Sequence, residues 1–510
     1  MKKFKHLILG RAFITVLLML LQLTLLIAVL WKFNTYFVYF YSGSLIISAL
    51  VLLHIISSRS NPASKLAWII PVLLLPIFGS TFYLMFGRTH MQNWQREKLS
   101  AISKKSQTSM AHDSKLHEIE SKNPNVANQS RYIQDFAFAP PFGNTATEYL
   151  PMGEIAFERM KEQLETAERY IFMEYFIIEE GVMWNELLEI LCRKAAQGVD
   201  VRIIYDDVGC LFTLPYQYDK ILESMGIQCS VFNPFQPVLS SKFNFRSHRK
   251  ITVIDGRTGF TGGINLADEY INAIKKYGHW KDSAIMLKGD AVWGLTTMFL
   301  SMWDYLREET QDYDAYRPKK MPPLDGPTNG YVQPYSDMPI DNEPVGETIY
   351  LNLINKAQRY VYITTPYLVT GNELMTALSA AAKSGVDVRI ITPHIADKWY
   401  VFSVTQSSYA PLIESGVKIF EYTPGFIHAK TFVVDDILGT VGTVNMDYRS
   451  FNLHFECGVW LYDTDSLRDI RDDFMLTLNT CHQVSLEECL SISWSRKLAR
   501  TILKVFAPLM

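Results

Sequence analysis

At 510 residues the chain has room for two or three domains, each able to bury a core. A formal net charge of −3 excludes the basic stripe that general nucleic-acid binders carry. An ordinary average of 48% hydrophobic and 20% charged residues hides a split, because the first 86 residues are mostly apolar and the remainder reads as soluble α/β protein. The six cysteines form no CxxC pair and carry no zinc or redox signature, so they read as buried or incidental thiols in a reducing compartment.

The N-terminus is basic (Lys2, Lys3, Lys5, Arg11) and is followed by three apolar segments, at 12–30, 36–56 and 66–86. Each is long enough to cross the hydrocarbon core as a helix, which needs roughly 20 residues. The first exceeds the apolar run of a signal peptide and has no small-residue cleavage site after it, which favours an anchor. Aromatic and basic flanks (Trp31, Lys32, Tyr83, Arg88) fit membrane boundaries. Residues 1–90 are therefore expected to form a transmembrane region of two or three helices, making the protein a multi-pass component of the cell membrane. Orientation stays open. The basic N-terminus and the cations after the third segment (Arg96, Lys98, Lys104, Lys105) both pull inward, and Pro71 and Pro76 are expected to kink the third segment or make it re-entrant.

Residues 91–135 are polar and read as a linker or surface arm. Strand and helix then alternate: a strand at 169–176, a helix at 185–196 and a turn into a strand at 198–205. The order returns with a strand at 359–363, a helix at 372–383 and a strand at 385–391. Gly-Val-Asp-Val-Arg occurs at both 198–202 and 385–389. This is duplication of a whole α/β unit rather than a short repeat. The expected units are 136–316 and 345–510, joined by a Pro-rich linker at 317–344. The chain ends in a basic and apolar stretch that reads as an amphipathic helix, packed on the body or lying on a membrane surface.

Each unit carries the same phrase. His248, Lys250 and Asp255 recur as His428, Lys430 and Asp435, and Asn265 and Asn445 each follow their histidine by 17 positions. Alternation along a strand puts His248 and Lys250 on one face, and His428 and Lys430 likewise. If the units meet about a pseudo-twofold axis, two imidazoles and two ammonium groups converge. Those are the parts for displacement at phosphorus. One imidazole attacks and the other handles the leaving group's proton, with the lysines and asparagines holding the non-bridging oxygens. The scheme calls for no metal or other cofactor, and a cation beside each histidine disfavours one. Each imidazole needs a carboxylate on its far nitrogen. Asp282 is expected to serve the first copy and Glu456 the second. Asp255 and Asp435, grouped with the catalytic residues, have a structural alternative at the strand ends.

These residues resemble the phospholipase D superfamily, marked by a duplicated His-x-Lys-x4-Asp phrase. Within it they are most similar to the bacterial cardiolipin synthases. The resemblance runs from about residue 149 to the end. It is reinforced by Asn61-Pro62-Ala63-Ser64-Lys65-Leu66-Ala67-Trp68, by Phe245-Arg246-Ser247-His248 with Gly262-Gly263-Ile264-Asn265, and by Asn445-Met446-Asp447-Tyr448-Arg449-Ser450. Ser247 stands where the family commonly has Asn, and the third apolar segment is unusual. The resemblance implies two α/β/α units with mixed sheets flanked by helices. It also implies transfer of a phosphatidyl group between two phosphatidylglycerol molecules at a membrane, with His248 as nucleophile and His428 as acid and base. Lipid hydrolysis, superfamily nuclease activity and a non-catalytic membrane scaffold are the rival readings. Oligomeric state is not legible.

Overall fold

The computed structural model describes residues 11–32, 37–58, 60–87, 93–235 and 244–510, except 320, 322, 325, 327, 341 and 342. Lys2, Lys3, Lys5 and Arg88, on which the orientation argument drew, lie outside the described residues.

The first two apolar segments are helices, Arg11–Lys32 and Phe37–Ser57, though several of their side chains are not described. Among the described residues no helix is long and apolar enough to cross a membrane. The third segment is not one continuous helix. It breaks into Pro62–Leu74 and Pro76–Phe86, because Pro76 cannot continue the hydrogen-bond ladder and Leu75 leaves helical backbone angles. The first of these helices has a sequence-encoded start, in which Asn61 Oδ1 accepts from Ala63 N at 2.9 Å and Pro62 occupies the first turn. The two halves fold back on each other. A Cβ built on Gly79 would lie 2.2 Å from the Pro71 carbonyl oxygen, so only glycine permits that approach. Ser48 of the preceding helix hydrogen-bonds Ser80 at 2.7 Å, tying the hairpin to it.

The 91–135 stretch, expected as a linker, is instead three helices: Asn93–Met110, Leu116–Lys122 and Pro124–Phe136. Ile119 of the second of these helices and Val126, Ala127 and Ile133 of the third are buried in the core of the second unit. On the other side, Lys105 reaches Asp304 at 2.8 Å and binds this arm to the first unit.

Both units are mixed sheets flanked by helices, with one strand order. In the first the strands run Thr145–Leu150, Ala284–Gly289, Thr258–Gly262, Ile251–Ile254, Tyr170–Tyr175, Asp200–Asp206, Gln228–Phe232. In the second they run Tyr331–Asp337, His454–Tyr462, Leu438–Gly442, Thr431–Val434, Tyr360–Thr364, Asp387–Pro393, Lys418–Tyr422, with Cys481–Gln483 added at the edge. The last three of the first sheet pair in parallel, as do their counterparts in the second. The Pro-rich boundary therefore contains the edge strand of the second sheet, where Pro334 is tolerated.

The units share a core. Helices Val292–Arg307 and Ser466–Leu478 lie in one buried cluster with residues of both sheets, and Phe299 stacks on Phe172 at 4.7 Å. The helix of each unit touches the other: Ser466 and Asp473 bond Thr147 and Tyr149 of the first sheet at 2.8 and 3.0 Å, and Gly294 packs so close to Pro334 of the second that an added Cβ would lie 3.2 Å from its ring. Two short parallel pairings complete the exchange. Arg246–Ser247 of the first unit pairs with the start of His454–Tyr462 of the second, and Gly425–Ile427 of the second pairs with His279–Lys281 of the first.

Candidate active site

Each histidine emerges from one of these exchanged strands. His248 N donates to Phe455 O at 2.8 Å, and His428 N donates to Lys281 O at 2.7 Å. The residue after each acceptor is a carboxylate, Glu456 and Asp282. The pairing is thus crossed. His248 Nδ1 lies 2.9 Å from both oxygens of Glu456, and His428 Nδ1 lies 2.7 Å from Asp282 Oδ2. This corrects the expectation that each carboxylate serves its own unit. The physical reason is the strand exchange, which delivers each imidazole to the neighbouring sheet. A carboxylate only accepts hydrogen bonds, so each Nδ1 carries the proton and each Nε2 presents its lone pair.

The two carboxylates are held differently. Thr443 donates its hydroxyl to Glu456, whereas the matching Gly263 leaves the space that Asp282 fills; a Cβ there would lie 2.0 Å from Asp282 Oδ1. Ser283 N completes the Asp282 cradle at 2.8 Å.

His248, His428, Lys250 and Lys430 are all buried. Each lysine Nζ hydrogen-bonds the carbonyl of its own histidine, Lys250 at 2.7 Å. Burial, then the charges of Lys250, Lys430 and His428, hold the His248 pKa well below its usual range. Burial and Lys430 bring His428 down to about 4, against the pull of Asp282. The lysines are lowered by burial to about 8 for Lys250 and about 7 for Lys430, with Glu456 and Asp282 pulling the other way. Burial pushes the Asp282 carboxyl up, but His428 and Lys430 outweigh it and hold the group below its ordinary value. The mutual effects of the two copies show that they form one electrostatic site. Both imidazoles are neutral at pH 7, and the centre is poised for an anion, whose charge would restore the cationic forms.

Asp255 and Asp435 are not in this centre. Each sits at the far end of its strand in a left-handed backbone conformation, with φ of 54° and 56°. The Asp255 carboxylate accepts from the backbone amides of Glu168, Arg169 and Tyr170, each at 2.8 Å. Asp435 does the same for Gln358, Arg359 and Tyr360 at 2.8–2.9 Å. They clamp the entry of the neighbouring strand, which corrects their grouping with the catalytic residues. Asn265 is committed to protein as well, accepting from Ile177 N at 3.1 Å and donating to the Tyr270 hydroxyl at 2.6 Å. Asn445 differs, since its buried Oδ1 has no partner among the described residues.

Sequence reasoning missed several members. His454 is buried, and its ring lies 5.6 Å from that of His248. Its Nδ1 is 3.5 Å from Glu456 without hydrogen-bond geometry, and burial brings its pKa down to about 3. Two-residue alternation with Glu456 could have found it. His248, His454 and Glu456 are close enough to suggest a metal cluster, but the lysine charges bearing on His248 oppose a cation there. Glu174 and Asp206, both buried, hold the first loop. Ser247 Oγ and Arg249 Nε donate to Glu174 at 2.6 and 3.0 Å, and Arg246 and Ser247 N reach Asp206 at 3.2 and 3.0 Å. Phe176 packs against His248, while Tyr270, Trp280 and Phe426 pack against His428.

Two duplicated α/β units that deliver a His–Lys pair each to one buried centre define a phospholipase-D-like protein. The family described as "Cardiolipin synthase, PLD-like domain" matches residues 160–294 and 350–477, and "Phospholipase_D-nuclease N-terminal" matches 46–88. An uncharacterized protein of Streptococcus mutans is 42% identical over 463 residues, 90% of this chain and 99% of that one. A cardiolipin synthase of Geobacillus sp. (strain WCH70) is 35% identical over 472 residues, 91% of this chain and 93% of its own. Among solved structures, the phosphatidylserine synthase of Haemophilus influenzae shares the fold with a TM-score of 0.57 at 16% identity, covering 75% of this chain and 97% of that one. The chain belongs to the family of phospholipase-D-like cardiolipin synthases.

Proposed function

We propose that the protein transfers a phosphatidyl group from one phosphatidylglycerol to a second, giving cardiolipin and glycerol. The observation that carries this reading is the crossed pair of carboxylate-held imidazoles with a lysine beside each. In the first half-reaction His248 Nε2 attacks phosphorus, an N–P bond forms, and the bond to the glycerol oxygen breaks as His428 gives that oxygen a proton. In the second, a hydroxyl of the incoming lipid head group gives its proton to His428 and attacks phosphorus, and the N–P bond breaks. Lys250 and Lys430 offset the charge on the non-bridging oxygens. The resemblance to the superfamily assigns His248 as nucleophile and His428 as acid; burial holds both imidazoles below the ordinary histidine range, so His248 Nε2 is free to attack, and the charge of an arriving phosphate favours the protonated form of His428.

The lipid reading is supported by the outer surface. The N-terminal hairpin exposes Leu66, Leu73, Leu74, Leu75 and Phe78. Helix Trp494–Phe506 exposes Trp494, Leu498 and Ile502 at four-residue spacing, beside Arg496, Lys497 and Lys504. Such a helix suits the membrane interface.

The test is incubation of purified protein with labelled phosphatidylglycerol. Cardiolipin and glycerol are expected, with loss of both in His248→Ala and His428→Ala. Release of phosphatidic acid to water in place of cardiolipin would make the protein a hydrolase and overturn the proposal.

A further inference from the structure

A second cleft lies apart from the histidine centre, between the N-terminal hairpin and the end of the chain. Its cavity volume is about 230 Å³. Trp68, Phe82 and Phe86 form its apolar side, and Lys65 and Arg449 contribute two cations. These cations come from sequence positions 384 apart, so the cleft exists only when the hairpin is docked on the second unit. Lys65 gives one hydrogen bond to Ile56 O at 2.9 Å, and Arg449 gives Nε–H to Met510 O at 3.2 Å. Lys65 has no carboxylate salt bridge among the described residues, and Arg449 commits only its Nε–H, to the backbone oxygen of Met510. The nearby Asp447 carboxylate accepts from Ser450 N at 2.7 Å. Among the described residues no protein acceptor engages the Nη groups of Arg449.

A lysine without an ion-pair partner and an arginine with uncommitted Nη groups among the described residues, facing an aromatic wall on an apolar hairpin, match one ligand chemistry. A phosphodiester satisfies the cations through charge-assisted hydrogen bonds, and acyl methylenes cover the rings. We propose that this cleft binds one anionic phospholipid, with its phosphate on Lys65 and Arg449 and its acyl chains against Trp68, Phe82 and Phe86. The site is separate from the reacting centre and does not depend on transfer chemistry.

The experiment uses the full-length His248→Ala chain in detergent micelles, so that turnover cannot feed or drain the site. The probe is phosphatidylglycerol carrying a photoactivatable diazirine on its acyl chain, with adducts mapped by peptide mass spectrometry. Labelling is expected at 62–86 and 507–510, reduced about tenfold by Lys65→Glu, as loss of one charge-assisted contact predicts. Ser64→Trp, which fills the cleft without changing charge, is expected to reduce it similarly. Thermal unfolding of each variant checks that it is folded, and Lys65→Glu alone is decisive if the Trp variant is not. Labelling of the hairpin that neither substitution changes would identify bulk lipid around an apolar surface and overturn the proposal. Labelling confined to peptides around His248 and His428 would overturn it equally, while leaving the transfer reaction untouched.

Discussion

Lys250 and Lys430 are ordinary residues in an unusual setting. Burial lowers both toward neutrality, and each spends one hydrogen bond on its own histidine's carbonyl. Because Lys430 titrates at about 7 and Lys250 at about 8, the cationic forms needed to offset phosphate charge are lost as pH rises through that window. The kcat/KM profile is therefore expected to fall between pH 7 and 8, and Lys430→Arg is expected to move that limb upward. On the acidic side, activity is lost where His248, which must be unprotonated to attack, gains a proton; burial and the neighbouring lysines hold that point well below the ordinary histidine range, so no limb is expected near pH 6.5. An acidic limb at the ordinary histidine value of 6.5 would show that the burial argument is wrong. Asp255 calls for a different readout. It caps three backbone amides far from the imidazoles, so Asp255→Asn should lower stability by about 1–3 kcal/mol, seen as a lower Tm. The kcat per folded molecule and its pH profile should stay the same. A shifted profile would return Asp255 to the catalytic group. The sequence made the His, Lys and Asn pairs legible because their spacing repeats. It could not separate Asp255 from them, since a motif conserves order along the strand and not distance across it.

At the scale of elements, the hairpin Pro62–Leu74 and Pro76–Phe86 shows how two residue types convert one apolar run into two helices. Pro76 ends the ladder, and Gly79 lets the second helix approach the backbone of the first. Gly79→Leu is expected to separate the two helices, because even a Cβ would meet the Pro71 carbonyl. The check is limited proteolysis of the full-length chain in detergent micelles, with faster cleavage between residues 60 and 87 in the variant; equal rates would mean the close approach contributes nothing. The prolines were visible in the sequence, but their effect was not decided by hydropathy, which cannot tell a kink from a reversal. The helices between 93 and 136 escaped for the opposite reason. Several of their buried positions are polar, Ser103, Ser106, Gln129 and Ser130, so the inward faces do not stand out as apolar stripes. The strands Arg246–Ser247 and Gly425–Ile427 are shorter still, and nothing in two or three residues names a partner in the other unit.

For the whole molecule, those short strands decide how the site is wired. Duplication made a shared centre predictable, yet the two units are not side-by-side copies with private orienters. Each lends its histidine to the other's carboxylate, so neither holds a complete imidazole–carboxylate pair of its own. The wiring can be read from a substrate that needs no acid. A phosphatidyl ester of p-nitrophenol loses its leaving group as a stable anion, so formation of the phosphohistidine requires the nucleophile alone. The first-turnover burst of p-nitrophenol should survive Asp282→Asn, which disturbs only His428. Glu456→Gln should slow that burst about 10–100-fold, the usual cost of losing the partner that fixes an imidazole. With phosphatidylglycerol, whose glycerol must be protonated to leave, both variants should be slow. Private orienters within each unit would reverse the burst results, with Asp282→Asn slow and Glu456→Gln fast. Paired with loss of the burst in His248→Ala and its survival in His428→Ala, which fix His248 as the nucleophile, the two outcomes differ in which carboxylate matters for the same bond, and the assay separates crossed from parallel wiring.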